Sequence, residues 1–87
     1  MRNGMIEHCG NRRWLQDGIR HREDGPAAEY ANGDREWWRT GKLHRTDGPA
    51  IEGIDGHREW WLNGVQYTER EFEQELLVRK WGLSVDA

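Results

Sequence analysis

The sequence predicts a mainly β protein, an antiparallel meander of β-hairpin repeats capped by one C-terminal α-helix. Two observations predict the meander: a repeat with a period of 23 residues and a series of X-Gly pairs spaced like hairpin turns. A third, a helix-capping sequence near the C-terminus, predicts the helix. Because 87 residues fit one small domain, we expect a single domain over 1–87, with the sheet in 1–67 and the helix region in 68–82.

The repeat aligns without a gap. Residues 10–32 match 33–55 at eleven of 23 positions, a third and partial unit covers 56–67, and an eroded copy precedes residue 10. Trp, His and Pro are uncommon residue types, so their recurrence at one period is strong evidence for a repeat architecture. The shared positions include Trp14 with Trp37, His21 with His44, Arg22 with Arg45, and the Asp-Gly-Pro-Ala runs at 24–27 and 47–50.

Each unit carries two turn signals and one bend signal. Asn-Gly or Asp-Gly between β-prone stretches is a strong hairpin signal, and the spacing matches typical strands. The Asp-Gly-Pro run adds a bend, because proline lacks an N–H and glycine permits positive φ. Each unit is therefore expected to hold about two antiparallel strands. The X-Gly pairs are Cys9-Gly10, Asp17-Gly18, Asn32-Gly33, Thr40-Gly41, Asp55-Gly56 and Asn63-Gly64.

Charge pairing discriminates between two registers for the hairpin that joins the first two units. A two-residue loop places Glu29 opposite Glu36, and like charges directly opposed are destabilising. A shift by one residue, with the glycine as a bulge at positive φ, places Glu29 opposite Arg35 and, in the next unit, Glu52 opposite Arg58. We therefore expect the bulged register.

The last twenty residues predict an amphipathic helix over 69–80. Thr68 and Glu71 form a capping box, with threonine at the N-cap and glutamate at N3. Gly82 is a plausible stop signal. Repeat arrays need a terminal cap to cover their last open face, and this is the role expected for the helix. Its apolar face consists of Phe72, Leu76 and Leu77, followed by Trp81.

Tryptophan rings are expected to supply much of the core, because only 34% of residues are hydrophobic and 33% are charged. Five of the six tryptophans follow the repeat, and Trp81 lies outside it. Trp37-Trp38 and Trp60-Trp61 are neighbours in predicted strands, so their rings point to opposite faces. One ring of each pair is expected to build the core. The second ring either fills core space under the helix or forms an exposed binding surface.

Composition excludes several classes of protein. No apolar run approaches the ~18 residues of a membrane span, and the N-terminal residues lack a signal-peptide core. The single Cys9 cannot form an internal disulfide and fits a reducing cytosol. The net charge of −3 makes direct nucleic-acid binding and membrane binding unfavourable. We expect a cytoplasmic protein of a bacterial host cell.

Neither metal binding nor catalysis is expected. His21 and His44 recur one unit apart, about 9–10 Å across two strands, which is too far to share a zinc ion with ligands at ~2.0–2.3 Å. Paired glutamates recur in every unit, whereas a catalytic pair needs two different environments. We therefore expect no metal, no cofactor and no enzymatic activity.

The unit W-x-N-G-x-x-H-R-x-D-G-P-A-x-E-x-x-D-G resembles the MORN repeat, which shares its period, its aromatic strand and its N-G and D-G turns. The resemblance covers residues 10–67. Asp-Gly-Pro-Ala stands where MORN units usually carry a glycine-rich stretch. This variant is similar to short repeat proteins of bacteriophages and prophages, whose arrays often end in a helix like the one after Tyr67. The resemblance implies a β-hairpin repeat sheet with a scaffold or binding role.

From this resemblance we expect a non-enzymatic protein-binding module of phage or prophage type. Its sharpest form is an inhibitor of a bacterial defence complex, similar to an anti-CRISPR protein, that blocks a binding or assembly surface of a host protein complex. One alternative is a structural or oligomerising module that forms a homodimer through an edge strand. A second alternative is an anionic-lipid-binding module of MORN type.

The partner-binding candidates combine tryptophan with arginine, two residue types enriched in interface hot spots. The His-Arg pairs before the bends have two interpretations. Either each arginine pairs with the aspartate of its bend and each histidine hydrogen-bonds a turn, or the pairs form a small basic ridge for an acidic partner. If both rings of each tryptophan pair are buried, the helix glutamates become the candidates. The full set is Trp38, Trp61, Arg39, Arg35, Arg58, His44, Arg45, Glu69, Glu73 and Glu75.

Overall fold

A computed structural model describes residues 4–82. It is a mainly β meander with one helix, so the predicted fold class is confirmed. The helix, α1, spans Glu69–Trp81. The strands of the described residues are β1 (Gly4–His8), β2 (Asn11–Gln16), β3 (Ile19–Arg20), β4 (Ala28–Glu29), β5 (Arg35–Glu36), β6 (Trp38–Arg39), β7 (Lys42–Leu43), β8 (Ile51–Glu52), β9 (Arg58–Leu62) and β10 (Val65–Tyr67).

Each complete repeat unit contains three strand segments rather than the two expected, because the Asp-Gly-Pro bend separates the last segment from the one before it. In the first unit the chain runs along β2, returns as β3, passes the Asp-Gly-Pro bend and re-enters the sheet as β4. The second unit repeats this with β8, and its long strand is divided at Trp37 into β5 and β6. Two residues after each bend are enough for the segment, because β4 and β8 pair with strands on both sides.

These short segments join successive units into one sheet. Its strand order is β1-β2-β4-β5-β8-β9-β10, with β3 paired to β2, while β6 and β7 form a separate two-stranded ladder. Every pairing is antiparallel. Further backbone hydrogen bonds cross between units, from Arg22 N–H to Trp38 O and from Arg45 N–H to Trp61 O, both at 3.2 Å. These hydrogen bonds between units therefore recur with the same period as the sequence.

The register between units is the bulged one, as predicted. Glu29 lies opposite Arg35, and Glu52 lies opposite Arg58. Gly33 has φ of +101°, a conformation that favours glycine. The bulge thus replaces a like-charge pair by an opposite-charge pair at each junction.

Two other X-Gly pairs illustrate the tight turns within the sheet. Thr40-Gly41 has φ of 51° and 76°, and Cys9-Gly10 has 53° and 84°, as a type I′ turn requires. A β-branched residue is unfavourable at positive φ. The Thr40 conformation is supported from the neighbouring unit, because its N–H donates to His21 Nδ1 at 2.9 Å.

The buried core is small and is built from alanine, leucine and phenylalanine rather than from tryptophan. Within residues 4–82 the buried hydrophobic residues are Ala27, Ala28, Ala50, Leu62 and Phe72. The five repeat tryptophans are each half-buried. The prediction that one ring of each pair fills a core was therefore too strong. The Cα positions extend over 50 × 32 × 17 Å, and a backbone layer this thin leaves large rings partly exposed on both faces.

The helix begins where a third Asp-Gly-Pro bend would stand, and its predicted capping box is confirmed. Glu71 N–H donates to Thr68 Oγ1 at 3.1 Å, and Thr68 N–H donates to Glu71 Oε1 at 3.0 Å. α1 packs against β9 and β10 and buries Phe72, whereas Leu77 stays 49% exposed. The apolar face is therefore covered only in part. None of the described helices is long and apolar enough to cross a membrane.

Candidate functional site

The two faces of the sheet present different side chains, because successive residues of the second unit point to opposite faces. Trp37 and Arg39 line a groove on one face. Glu36 and Trp38 alternate with them and are hydrogen-bonded to each other on the other face. We call the second face the tryptophan face and define it by Tyr30, Glu36, Trp38, Glu59 and Trp61.

On the tryptophan face, a glutamate holds the indole N–H of each tryptophan. Trp38 Nε1 donates to Glu36 Oε1 and Trp61 Nε1 donates to Glu59 Oε1, both at 2.9 Å. The Tyr30 hydroxyl donates to the same Glu36 oxygen at 2.9 Å. Burial, and then the neighbouring carboxylate, raises the pKa of Tyr30. Because both tryptophans are half-buried, each ring is fixed in orientation while part of it faces solvent.

The third unit adds an ion pair beside its tryptophan. His57 Nε2 lies 2.6 Å from Glu59 Oε2. This hydrogen bond raises the pKa of His57 and lowers the pKa of Glu59. The Glu59 carboxylate therefore holds Trp61 with one oxygen and His57 with the other.

On the opposite face, each repeated arginine stacks on a tryptophan. The guanidinium carbon of Arg22 lies 3.9 Å from the ring centre of Trp14, and that of Arg45 lies 3.7 Å from the ring centre of Trp37. Each guanidinium also binds the aspartate of its own bend and the proline carbonyl, at 2.7–3.1 Å. The hydrogen bond from arginine lowers the pKa of both aspartates. The local interpretation of these arginines is confirmed.

Successive bends enclose a groove of about 440 Å³ on this face. We call it the bend groove; besides the two bends, it is lined by Trp37, Arg39, His44 and Arg45. Arg39 is exposed, whereas His44 and Arg45 are half-buried. The groove combines the Trp37 ring with nitrogen-bearing side chains, those of Arg22, Arg39, His44 and Arg45.

The repeated histidines hydrogen-bond turns, as predicted, but each of these turns belongs to the next unit and not to the histidine's own bend. His21 Nδ1 accepts from Thr40 N–H at 2.9 Å, and His44 Nδ1 accepts from Asn63 N–H at 3.0 Å. Burial, together with the positive charges of two nearby arginines, lowers the pKa of His44. These side chains therefore tie each unit to the tight turn of the next one.

The structure separates the candidates that the sequence grouped together. Trp38 and Trp61 lie on the tryptophan face, while Arg39, His44 and Arg45 line the bend groove on the other. The remaining arginines, Arg35 and Arg58, are exposed on the sheet ladder opposite glutamates. On α1, Glu69 and Glu73 are exposed, and Glu75 Oε1 lies 3.0 Å from Arg79 Nε.

Two residues beside Trp38 were missed by the sequence interpretation: Arg20, and Tyr30 of the tryptophan face. The Arg20 guanidinium lies over Trp38, 5.1 Å from the ring centre, within cation–π range. Tyr30 shares the glutamate that holds this ring. Neither residue type recurs, since Leu43 and Gly53 stand at these positions one unit later. The repeat pattern therefore gives no signal for either residue.

No protein-family model matches this sequence, and comparisons with curated proteins and with solved structures give no significant match. The resemblance to MORN repeats therefore stays a prediction. Across residues 4–82, no group of three or more His, Cys, Asp or Glu side chains could hold a metal ion.

Proposed function

We propose that this protein is a non-enzymatic protein-binding module that engages its partner through the tryptophan face. The observation that carries the proposal is the pair of half-exposed rings, Trp38 and Trp61, each held at its indole N–H by a glutamate. Trp, Tyr and Arg are the residue types that dominate interface hot spots. Tyr30 and Arg20 complete such a group beside Trp38.

Rigidity of these rings supports the proposal. A tryptophan contributes roughly 150–250 Å² of contact area when it is buried. Immobilising a flexible side chain at an interface costs about 0.5–1.5 kcal/mol. The glutamate hydrogen bonds have already ordered Trp38 and Trp61 in the unbound protein, so binding loses less side-chain entropy. The satisfied indole N–H also means that no buried donor is left without an acceptor when a partner covers the ring.

The test replaces both rings by the residue that the first unit carries at the same position, Leu15. The double variant Trp38→Leu/Trp61→Leu keeps an apolar side chain in each slot, and Trp81→Leu removes an exposed ring outside the repeat as the matched control. An affinity-tagged protein is used to isolate a complex from bacterial lysate, and binding of the purified partner is then measured by calorimetry. We expect binding by the native protein and the control and loss in the double variant. Equal binding by all three, or no specific complex, contradicts the proposal.

In its finer form, we propose that the partner belongs to a bacterial defence complex whose binding or assembly surface is blocked. Support comes from the resemblance of the Asp-Gly-Pro-Ala repeat to phage and prophage arrays. The test is expression in a strain whose CRISPR–Cas system targets a phage. Restored plaque formation, abolished by Trp38→Leu/Trp61→Leu, is the expected result. Unchanged immunity in strains of several CRISPR–Cas types contradicts this form while leaving the binding assay above as a separate test.

The alternative of an oligomerising module is favoured by the edge strand β1. Among residues 4–82, β1 pairs with β2 alone, at one end of the sheet. Met5 on this strand is 49% exposed. Unpaired edges are templates for pairing with another chain, and an edge lysine discourages it. Sedimentation equilibrium tests this alternative: a dimer that Met5→Lys dissociates supports it, and a monomer at all concentrations contradicts it.

A further inference from the structure

The equivalent histidines of the first two units, His21 and His44, have different surroundings. In the first unit, His21 Nδ1 accepts from a backbone N–H and Nε2 lies 3.3 Å from Glu23 Oε2. In the second unit, His44 Nδ1 accepts from Asn63 N–H in the same way, but Thr46 stands where Glu23 stands one unit earlier. Since Nδ1 is the acceptor, a neutral His44 carries its proton on Nε2. His21 Nε2 has the Glu23 carboxylate as its partner, whereas Thr46 offers no carboxylate to His44 Nε2.

A positive charge is added at the same place. Arg39 stands one unit after the uncharged Gln16 and lines the bend groove together with His44. Arg39 is exposed and forms no ion pair with the described part of the chain. From the first unit to the second, one negative charge is therefore removed and one positive charge is added around the histidine.

We propose that His44 and Arg39 form a binding site for a carboxylate, supplied by an aspartate or glutamate side chain of a partner protein. The carboxylate takes the place that Glu23 holds against His21. The site goes beyond the function proposed above, because it lies in the bend groove on the opposite face from Trp38 and Trp61.

The surroundings favour a single carboxylate. Arg45 is already committed to Asp47, Glu52 and the Pro49 carbonyl oxygen, so it does not compete for the ligand. The positive charges of Arg39 and of Arg79 on α1 act on His44. Three carboxylates, those of Glu23, Asp24 and Asp47, line the rest of the groove. They repel an extended polyanion such as a nucleic-acid backbone, whereas one acidic side chain reaches the histidine end alone.

Nuclear magnetic resonance of the histidine side chains tests the site. The probe is the capped peptide acetyl-Gly-Glu-Gly-amide, compared with acetyl-Gly-Gln-Gly-amide and with inorganic phosphate at equal ionic strength. We expect a saturable shift of the His44 imidazole signals and a rise in the His44 pKa with the glutamate peptide only. His21, whose site is filled internally, is the control in the same sample and is expected to stay unchanged.

Three variants each replace a residue of one unit by the equivalent residue of the other. Thr46→Glu supplies the carboxylate within the chain, so the peptide response of His44 is lost and its pKa rises without peptide. Glu23→Thr removes the carboxylate beside His21 and is expected to make His21 respond to the glutamate peptide. Arg39→Gln is expected to weaken the response of His44. Backbone amide spectra verify that each variant is folded. An absent His44 response to the glutamate peptide, an equal response to the glutamine peptide or to phosphate, or a response retained in Thr46→Glu overturns the proposal.

Discussion

The guanidinium carbon of Arg45 lies 3.7 Å from the ring centre of Trp37. The same group donates to the aspartate and the proline carbonyl of its bend, and to Glu52 at 3.1 Å. One half-buried arginine therefore joins the tryptophan between β5 and β6, a bend and the following strand. Arg22 and Trp14 repeat the stacking one unit earlier. A planar guanidinium can stack and form several directed hydrogen bonds at once, which a lysine ammonium cannot.

Arg45→Lys is therefore expected to lower the free energy of unfolding by about 1–2 kcal/mol, although the charge is kept. Arg35→Lys is the matched control, because Arg35 is exposed and is expected to change stability by less than about 0.5 kcal/mol. Urea denaturation followed by tryptophan fluorescence measures both. Equal stability of the two variants would show that stacking and the bend hydrogen bonds contribute little.

Gly33→Ala is expected to destabilise the protein more than Gly56→Ala at the equivalent position of the next unit. Both glycines have positive φ, +101° and +92°, so alanine is strained at each by about 1–2 kcal/mol. An added Cβ at Gly33 lies 2.7 Å from Ile54 Cγ2, whereas at Gly56 nothing lies within 4 Å. Thermal unfolding followed by circular dichroism measures the difference. A larger loss for Gly56→Ala contradicts the role assigned to Ile54.

The His57–Glu59 pair predicts a pH window for stability. The pKa of His57 is raised above 6.5, so its contribution is present below pH 6.5 and is lost as the pH rises through the raised value. The pKa of Glu59 is lowered below 4.5, so its contribution is present above pH 4.5 and is lost as the pH falls through the lowered value. The pair thus stabilises the fold most between pH 4.5 and pH 6.5, where both contributions are present.

His57→Gln is accordingly expected to lower the melting temperature most between pH 4.5 and 6.5, with a difference that vanishes at alkaline pH. His8→Gln, at an exposed position of β1 with no ion pair among the described residues, is the control. Differential scanning calorimetry across this pH range measures both variants. A pH-independent loss in His57→Gln would show that the side chain acts through packing rather than through charge.

Thr68→Ala is expected to destabilise α1 by about 1 kcal/mol, because Glu71 N–H loses its acceptor at the N-terminus. Thr46→Ala, an exposed threonine in the second bend, is the control for removing the same side chain elsewhere. Helical ellipticity and the urea midpoint are the measurements. A midpoint unchanged from the native protein would mean that packing of α1 against β9 and β10 alone holds the helix.

Much of the fold was predictable, because its determinants are local or repeat at one period. The X-Gly pairs predict the turns through the backbone freedom of glycine, and Thr68 with Glu71 predicts the start of α1. Opposite charges predict the bulged register between Glu29 and Arg35. The separate third segment of each unit, β4 or β8, was not expected, because it carries only two residues and is divided from the preceding strand by the bend. Such a short segment becomes a strand only because strands lie on both sides of it.

The candidate surfaces were predictable only in part. Their residue types made Trp38, Trp61 and the arginines candidates for partner binding. Because Trp37 and Trp38 are neighbours in an extended segment, their rings were predicted to face opposite sides. The pairing of Trp38 with Arg20 and Tyr30 joins residues that do not recur, so the repeat gave no signal for it. Likewise, nothing in the chain order indicates that His44 meets a turn 19 residues later.

By itself, the sequence determined the period, the turns, the register and the capping helix, because each depends on residues that are neighbours in the chain or recur at the same position. Only the tertiary structure decided that the tryptophans stay half-buried on a thin sheet and that Arg45 belongs to the opposite face from Trp38. It also decided that Glu23 lies against His21, a contact that Thr46 cannot provide to His44. The physical reason is that burial, stacking and charge balance are set by side chains that approach across units, whose distances no sequence separation specifies.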